Sequence, residues 1–522
     1  MKRREFLKKS LQGTGTAMFC SGTLAKEILT SSVSAQRPNI LHIMSDQQQW
    51  GTIANRTECR TPNINRLAEE GILFNRSYTP NALCCPARAM ILTGAYHWHN
   101  GVYNQIHSSP SVHRDMYPDV VTYSMRIKEA GYRLGYVGKW HASYKRTPLD
   151  FGYDEIGAPQ GYNNRLLKEI KYTDERKKSK AKVIPVREFQ WNGSEPFTMW
   201  GYDNRDEEET RAWGTAETGI KMMRRFIKEG KPWLIEIHFV EPHDAYVPLK
   251  KYLDRYNPSS IPVPKSFYDT FENKPGMHRR ESETWGKVTE KDYQQSRAYY
   301  YAYSEQLDTQ IGRILDELEK SGQAQNTIVV FTSDHGDMVG AHRMWIKGWM
   351  PYEECYRIPL VIRWHGKIKP GSVSNRLVQT HDLAHTYVDA LGLKPLPFPD
   401  ACSLVPLFEN PNRTDWRDDI LCTFYGGEFL YTQRIVITER YKYVFNGFDF
   451  DECYDLAEDP EEMYNCVNDP KYKKIVDDLR ARLYDLMNQF EDPYGDTQNR
   501  ISIGNPPNRY GGPRYLPRGK RI

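Results

Sequence analysis

Five consecutive residues, Cys84-Cys85-Pro86-Ala87-Arg88, join a nucleophilic sulfur to a helix-starting proline and a fixed cation. Proline suits the first turn of a helix, because the N–H it lacks would find no intrahelical partner there. Cys84 then stands at a helix N-terminus, where free N–H groups and the macrodipole favour an anion. Arg88 adds a planar fork of donors. A thiol in such surroundings ionises readily, so a thiolate nucleophile is one chemistry that the arrangement allows. A buried structural cysteine is the plain alternative.

Other chemistry-bearing residues recur at one kind of place. Residues 39–44, 133–137, 233–240 and 327–332 read as strands, and each runs into a polar cluster. The first meets Asp46-Gln47 and the second Gly138-Lys139-Trp140-His141. The third meets Glu241-Pro242-His243-Asp244 and the fourth Asp334-His335-Gly336-Asp337. Helical patterns lie between them: 63–70 up to Gly71, 120–130 up to Gly131, 216–229 up to Gly230, and a stripe of Leu307, Ile311, Ile314, Leu315 and Leu318 closed by Gly322. The alternation predicts βαβ units and an α/β fold with a large, mostly parallel sheet sandwiched by helices. Open α/β sheets place ligand sites at the carboxyl ends of their strands, so four such ends predict one polar rim. Taken singly, Asp46 and Asp334 also read as helix caps. His342 and His381 read as ordinary satisfied histidines.

Cys84, Pro86 and Arg88, followed by a short helix ending in Thr93-Gly94, resemble the C-x-P-x-R signature of the type I sulfatases, in the alkaline-phosphatase-like superfamily. The resemblance runs over roughly 38–469, and Asp455-Leu456 with Asp459-Pro460-Glu461 resembles that family's C-terminal pattern. It implies that a maturation enzyme converts Cys84 to Cα-formylglycine (3-oxoalanine), with Cys85 in the variable place. The hydrated aldehyde then offers one hydroxyl to attack sulfur and a second to expel sulfate. It implies a divalent cation, Ca²⁺ with Mg²⁺ as second choice, at Asp46, Gln47, Asp334 and His335, since oxygen donors select hard cations. Gln47 stands where many members carry a second Asp, and His335 where others carry Asn. Lys139 and His141 match the family's Gly-Lys-Trp-His element, with the lysine on a sulfate oxygen and the histidine on the formylglycine. His243 and Lys347 match the residues expected at the leaving oxygen. With Cys84 and Arg88 these four complete the expected catalytic set.

Composition and termini bound the rest. A net charge of +4 over 522 residues excludes a dedicated nucleic-acid binder. Arg3-Arg4, an apolar stretch from Gly13 to Leu24 and Val33-Ser34-Ala35 read as a twin-arginine signal peptide over 1–35, delivering a folded enzyme to the periplasm or exterior through the Tat export machinery. No later run is long enough to span a bilayer, so no stable membrane insertion is expected. A catalytic domain over 36–405 and a smaller α+β subdomain over 406–522 are expected. The subdomain would hold strands within 431–444, a helix over 472–490 and a basic Pro/Gly-rich tail from Ile501. The polar segment 160–212 reads as an irregular insertion. Eight cysteines follow Cys20 with no paired C-x-x-C zinc spacing, and an oxidising compartment allows disulfides whose pairing the sequence leaves open.

The expected substrate is a sulfated carbohydrate, fitting polysaccharide degradation outside the cell. Trp98, Trp140, Tyr246, Trp345 and Trp349 lie close in sequence to predicted catalytic residues and are candidate sugar platforms. His97, His99 and the basic insertion are candidates for further anionic groups. Core packing is the plain alternative for each aromatic. The rival chemistry is a phosphonate monoester or phosphodiester hydrolase of the same superfamily. An inactive carbohydrate-binding homologue is the non-catalytic alternative.

Overall fold

The first apolar run becomes the strand Asn39–Asp46 (β1), with all eight residues buried. Burial on both faces is what a central parallel strand requires. The computed structural model describes residues 37–495, except 108–110, 112, 178, 180–181, 191–194, 348–349, 428–430 and 448. The predicted signal peptide, the basic tail and Trp349 lie outside the described residues.

Seven more strands join β1: Ile72–Phe74 (β2), Arg133–Lys139 (β3), Glu155–Gln160 (β4), Trp233–Pro242 (β5), Thr327–Ser333 (β6), Leu360–Arg363 (β7) and Ser372–Ser374 (β8). Their order is β8-β2-β7-β6-β1-β5-β3-β4. All run parallel except β7, which pairs antiparallel with both β6 and β2. The sheet is therefore mixed but mostly parallel, as expected. The four strands that were predicted, β1, β3, β5 and β6, form its contiguous centre.

Side chains alternate across the sheet into two apolar layers. Ile40, Leu234, Ile328 and Val330 face one side with Tyr123, Ile127 and Leu92. Leu41, Ile43, Ile235, Ile237, Val329 and Phe331 face the other, against Ala216, Ile220, Met223, Leu307, Ile311 and Leu318. Each fully buried aliphatic side chain contributes about 1.5–3 kcal/mol. The helices Cys84–Thr93 (α1), Arg211–Glu229 (α2) and Glu290–Lys320 (α3) thus cover both faces. Thr289 caps α3, its hydroxyl accepting from the Asp292 N–H. Tyr300 on that helix donates to the Gln47 carbonyl at 2.6 Å and accepts from the Gln49 N–H at 2.9 Å, clamping the end of β1.

One feature differs from expectation. Segment 160–212 is not irregular throughout, because Val183–Phe189 pairs antiparallel with Phe197–Asp203. The first of these strands is almost wholly exposed, so no apolar alternation marks it. Farther on, Asp419–Phe424 (β9), Gln433–Thr438 (β10), Tyr441–Asn446 (β11) and Glu452–Asp455 (β12) form an antiparallel sheet in chain order. The helix Lys473–Gln489 (α4) packs on it through Val476, Leu479, Leu483 and Met487.

Candidate active site

The strand ends deliver their side chains to one rim. β1 ends on Asp46 and β3 on Lys139; β5 stops just before His243 and β6 just before Asp334-His335. Gly138 is required where it stands. Its φ is +95°, and a Cβ there would lie 1.9 Å from the His238 carbonyl oxygen. Gly336 is equally tight: a Cβ at that position would meet the Glu354 carbonyl oxygen at 1.9 Å. Gln47 and His141 hold φ values of 66° and 51° without being glycine. Such left-handed residues cost about 1–2 kcal/mol each and cluster at functional sites. α1 begins at Cys84, and its N-cap residue Leu83 supplies no side-chain cap, which leaves the first-turn N–H groups available to an anion.

Cys84 Sγ is the hub of this rim. It lies 3.1 Å from His335 Nε2, 3.6 Å from Lys139 Nζ, 3.8 Å from Asp46 Oδ1 and 3.9 Å from Gln105 Nε2. His141 hydrogen-bonds the same sulfur. Arg88 spans the floor: Nε donates to Asp334 Oδ2 at 2.8 Å, one terminal nitrogen to Asp46 Oδ2 at 3.0 Å and the other to the Lys139 carbonyl at 2.9 Å. Lys139 also pairs with Asp46. On the outer side, Lys347 Nζ reaches Gln47 Oε1 at 3.0 Å and His243 Nε2 at 2.7 Å. Cys84, Lys139 and Lys347 are buried, while His141 and His243 are partly exposed, so the site opens past these two histidines.

Electrostatics separates the two neighbouring thiols. Burial alone would push Cys84 up, but Lys139, Lys347, His335 and the His141 hydrogen bond outweigh it and hold the thiol well below its ordinary value. Burial and the charge of Cys84 push Cys85 the other way. Burial and Lys139 lower His141 to about 4, so it is a neutral imidazole near neutral pH. For Asp46, burial and Cys84 oppose ionisation, yet Lys139 and Arg88 hold the carboxyl well below the usual range.

Asp46, Cys84, Asp334 and His335 each present one donor atom within 4.8 Å of the others. Two buried carboxylates at this spacing fit a hard divalent cation. The fourth expected ligand is turned elsewhere. Gln47 Nε2 donates to Asp244 Oδ1 at 3.0 Å and Asp337 Oδ2 at 2.6 Å, Lys347 occupies its amide oxygen, and only its backbone N–H reaches Asp334 Oδ1, at 3.1 Å.

Asp244, Asp337 and Gln105 join the site without having been predicted. Asp244 and Asp337 lay within the polar strand ends, but no role followed from spacing alone. Gln105 lies in a stretch with no periodic signal. A buried column beneath Arg88 was also missed. His238 Nδ1 lies 3.4 Å from an Arg88 terminal nitrogen and 2.7 Å from Tyr136 Oη, and its Nε2 faces Glu236 Oε2 at 3.0 Å. Tyr123 and Tyr153 donate to the other Glu236 oxygen.

The aromatic platforms are not where the sequence placed them. Trp140, Tyr246 and Trp345 are fully buried and Trp98 nearly so. Each has an internal task. Trp140 Nε1–H donates to Arg146 O at 2.8 Å, Tyr246 Oη–H to Asp337 at 2.7 Å and Trp98 Nε1–H to Phe490 O at 2.7 Å, while Trp345 stacks on Trp200. His97 is buried against Thr423, and His99 stacks on Phe398 and pairs with Asp400. Proximity in sequence to a catalytic motif marked core, not surface.

The family described as Sulfatase matches residues 38–393, and the one described as N-sulphoglucosamine sulphohydrolase, C-terminal, matches residues 340–489. An arylsulfatase of Clostridium perfringens is 30% identical over 90% of this chain and 98% of its own. An N-acetylglucosamine-6-O-sulfatase of Bacteroides thetaiotaomicron is 26% identical over 89% of each. A solved phosphonate monoester hydrolase of Agrobacterium radiobacter superposes with a TM-score of 0.70 at 24% identity, over 87% of this chain and 96% of that one. A solved complex of a protein with its substrate D-glucosamine-2-N,6-O-disulfate also gives 0.70 at 24% identity, over 88% and 99%. These two structures share the fold, and the sequence matches carry the assignment further: the chain belongs to the sulfatase family, hydrolases of sulfate esters.

Proposed function

We propose that this sulfatase acts on sulfated carbohydrates outside the cytoplasm, with Cys84 as the residue converted to formylglycine and Arg88, Lys139, His141, His243 and Lys347 as its catalytic partners. The observation that carries this reading is the surroundings of Cys84 Sγ. The sulfur sits at a helix N-terminus with Lys139 at 3.6 Å and His335 at 3.1 Å, and Lys347 adds to the positive field. Such a cluster suits a tetrahedral, anionic sulfuryl group. The carbohydrate class rests on relatives such as the N-acetylglucosamine-6-O-sulfatase and on the export signal read in the sequence.

Formylglycine, once made, supplies an oxygen nucleophile and an internal route for releasing sulfate. Asp46, Asp334 and His335 are the residues that would hold a divalent cation, calcium by the donor set, whose charge would offset the sulfuryl oxygens. The chain's own groups do the rest. Arg88 fixes both carboxylates, and Lys139 binds a sulfuryl oxygen. His141 is neutral and takes a proton from the nucleophile. Lys347 and His243 face the leaving oxygen, and a proton delivered there lets the alcohol depart. The partners implied are the formylglycine-generating enzyme and the twin-arginine export machinery. Among the described residues no helix is long and apolar enough to cross a membrane.

Peptide mass spectrometry of enzyme co-produced with the maturase tests the nucleophile: the thiol should be lost at Cys84 and retained at Cys85. A Cys84→Ala enzyme that still turns over would sink the mechanism. Phosphonate monoester hydrolysis is the second reading, favoured by the shared fold and by the Asp46-Gln47 and Asp334-His335 pairs. The Gly-Lys-Trp-His element that carries Lys139 and His141 favours sulfate, and both residues lie at the Cys84 sulfur. Comparing kcat/KM for a sulfate monoester and a phosphonate monoester decides between them.

A further inference from the structure

Cys453, on β12, and Cys466, thirteen residues later, meet at the edge of the C-terminal sheet. The Cys466 N–H donates to the Cys453 carbonyl at 2.8 Å. The Cys453 N–H in turn donates to Asn465 Oδ1 at 2.9 Å. The single bond from Cys466 to Cys453 holds the two backbones against one another, as a disulfide, which spans roughly 4.4–6.8 Å between Cα atoms, requires. The Cys466 sulfur lies 3.1 Å from the Cys453 carbonyl oxygen. The two thiols also hydrogen-bond one another. Both residues are buried in one apolar cluster with Leu421, Val436, Tyr443 and Leu483. The structure holds both as thiols.

We propose that Cys453 and Cys466 are joined by a disulfide in the exported protein. The inference rests on the reading that the chain is exported to an oxidising compartment. The reaction is thiol–disulfide exchange with an oxidising protein disulfide of that compartment. One S–S bond of the oxidant breaks and one forms here; two electrons and two protons leave the cysteine pair, and the oxidant becomes a dithiol. Hydrogen bonding from Cys453 lowers the Cys466 thiol and raises its partner, which marks Cys466 as the first nucleophile.

The crosslink closes the loop 454–465, and that loop braces the catalytic rim. Glu462 accepts from Lys442 at 2.8 Å and from the Glu353 N–H at 2.7 Å, and its carbonyl accepts from Lys274 at 2.5 Å. Glu461 accepts from the Ser266 N–H at 2.7 Å. Glu353 opens the short helix Glu353–Tyr356, whose Glu354 and Cys355 carbonyls accept from the N–H groups of Asp337 and Gly336 at 3.0 and 2.8 Å. The turn that carries Asp334 and His335 is therefore propped from behind by the loop that the disulfide would close.

Two samples of the full-length protein separate this proposal from the export reading. One is taken from the exported fraction with thiols blocked during lysis. The other is purified from the cytoplasm and equilibrated in oxidised glutathione. In the second sample Cys453 and Cys466 should resist alkylation in denaturant and appear as one reductant-sensitive crosslinked peptide. Its melting midpoint should fall by several degrees on adding reductant, a shift absent from Cys453→Ser and Cys466→Ser. Quantitative alkylation of both residues in oxidised glutathione would overturn the disulfide. A crosslink in the second sample but not in the exported one would confirm the pair and refute the compartment.

Discussion

Lys347 Nζ lies 2.7 Å from His243 Nε2, and His243 Nδ1 lies 2.8 Å from the Asp244 carbonyl oxygen. Burial opposes charge on Lys347, but Cys84, Asp244 and Asp46 raise its pKa above the ordinary lysine value, so it stays an ammonium. The ammonium must donate, which makes Nε2 the acceptor and Lys347 the proton-bearing member of the pair.

Leaving-group chemistry tests this pair. His243→Gln and Lys347→Ala should each lower kcat/KM for an alkyl or sugar sulfate by about 100-fold or more. The loss for nitrophenyl sulfate, whose phenolate departs unaided, should be below about 10-fold. Equal losses on both substrates would remove these residues from the leaving oxygen.

Arg88 is the only side chain that hydrogen-bonds both Asp46 and Asp334 among the described residues. Arg88→Ala leaves two buried carboxylates without it, a change that typically costs about 3–5 kcal/mol. Arg88→Lys keeps the charge and loses the fork, so it should fall between the two. Thermal or denaturant melting of the three proteins gives the order. A lysine variant as stable and active as the parent would show that the fork is dispensable.

Elemental analysis should find one divalent cation per chain, calcium in preference to magnesium. Chelation should abolish turnover, and calcium should restore it. Asp46→Asn and Asp334→Asn should each lose the cation while Gln47→Ala retains most of it, because the Gln47 side chain points to Asp244 and Asp337. Full activity in metal-free enzyme would remove the cation from the site.

Asp308, far along α3 from the rim, gives a pH signature. It accepts from the Asn63 and Ile64 N–H groups at 3.1 and 2.8 Å, capping the helix Pro62–Glu69 from another helix. Burial pushes its carboxyl up to about 6, outweighing those donors. A raised folded pKa means that the folded state holds the proton more tightly. The stability this contributes is complete below the unfolded value of 3.8 and lost as pH rises through about 6. It amounts to roughly 3 kcal/mol. The melting advantage of the parent over Asp308→Asn should shrink between pH 4 and 7. An advantage that grows over that range would contradict the raised carboxyl.

The centre of the fold was legible because β1, β3, β5 and β6 are buried runs bounded by glycine-ended helices. β2, β7 and β8 are only three or four residues long, too short to carry a period, and β7 is reversed. The rim was legible for a similar reason: Asp46, Lys139, His243 and Asp334 follow directly on strand ends. Side-chain direction was not. The sequence places Gln47 beside Asp46, but only the fold shows its amide turned to Asp244 and Asp337. Of the two readings open for Trp140 and Tyr246, core packing is the one the fold takes, because a large ring next to a catalytic residue is as useful for filling the space behind it as for meeting a sugar. Glu236 and His238 carry polar letters inside an apolar strand, and their partners Tyr123, Tyr136 and Tyr153 come from separate segments that no local pattern connects.

The ring of positive charge around Cys84 has a consequence for throughput. Lys139, Lys347 and Arg88 converge on a pocket closed to water on most sides. The same field that draws a sulfate ester in also retains the inorganic sulfate made by each turnover. Inorganic sulfate is then both product and competitor, and its concentration in the surroundings sets what fraction of the sites stands free for the next ester.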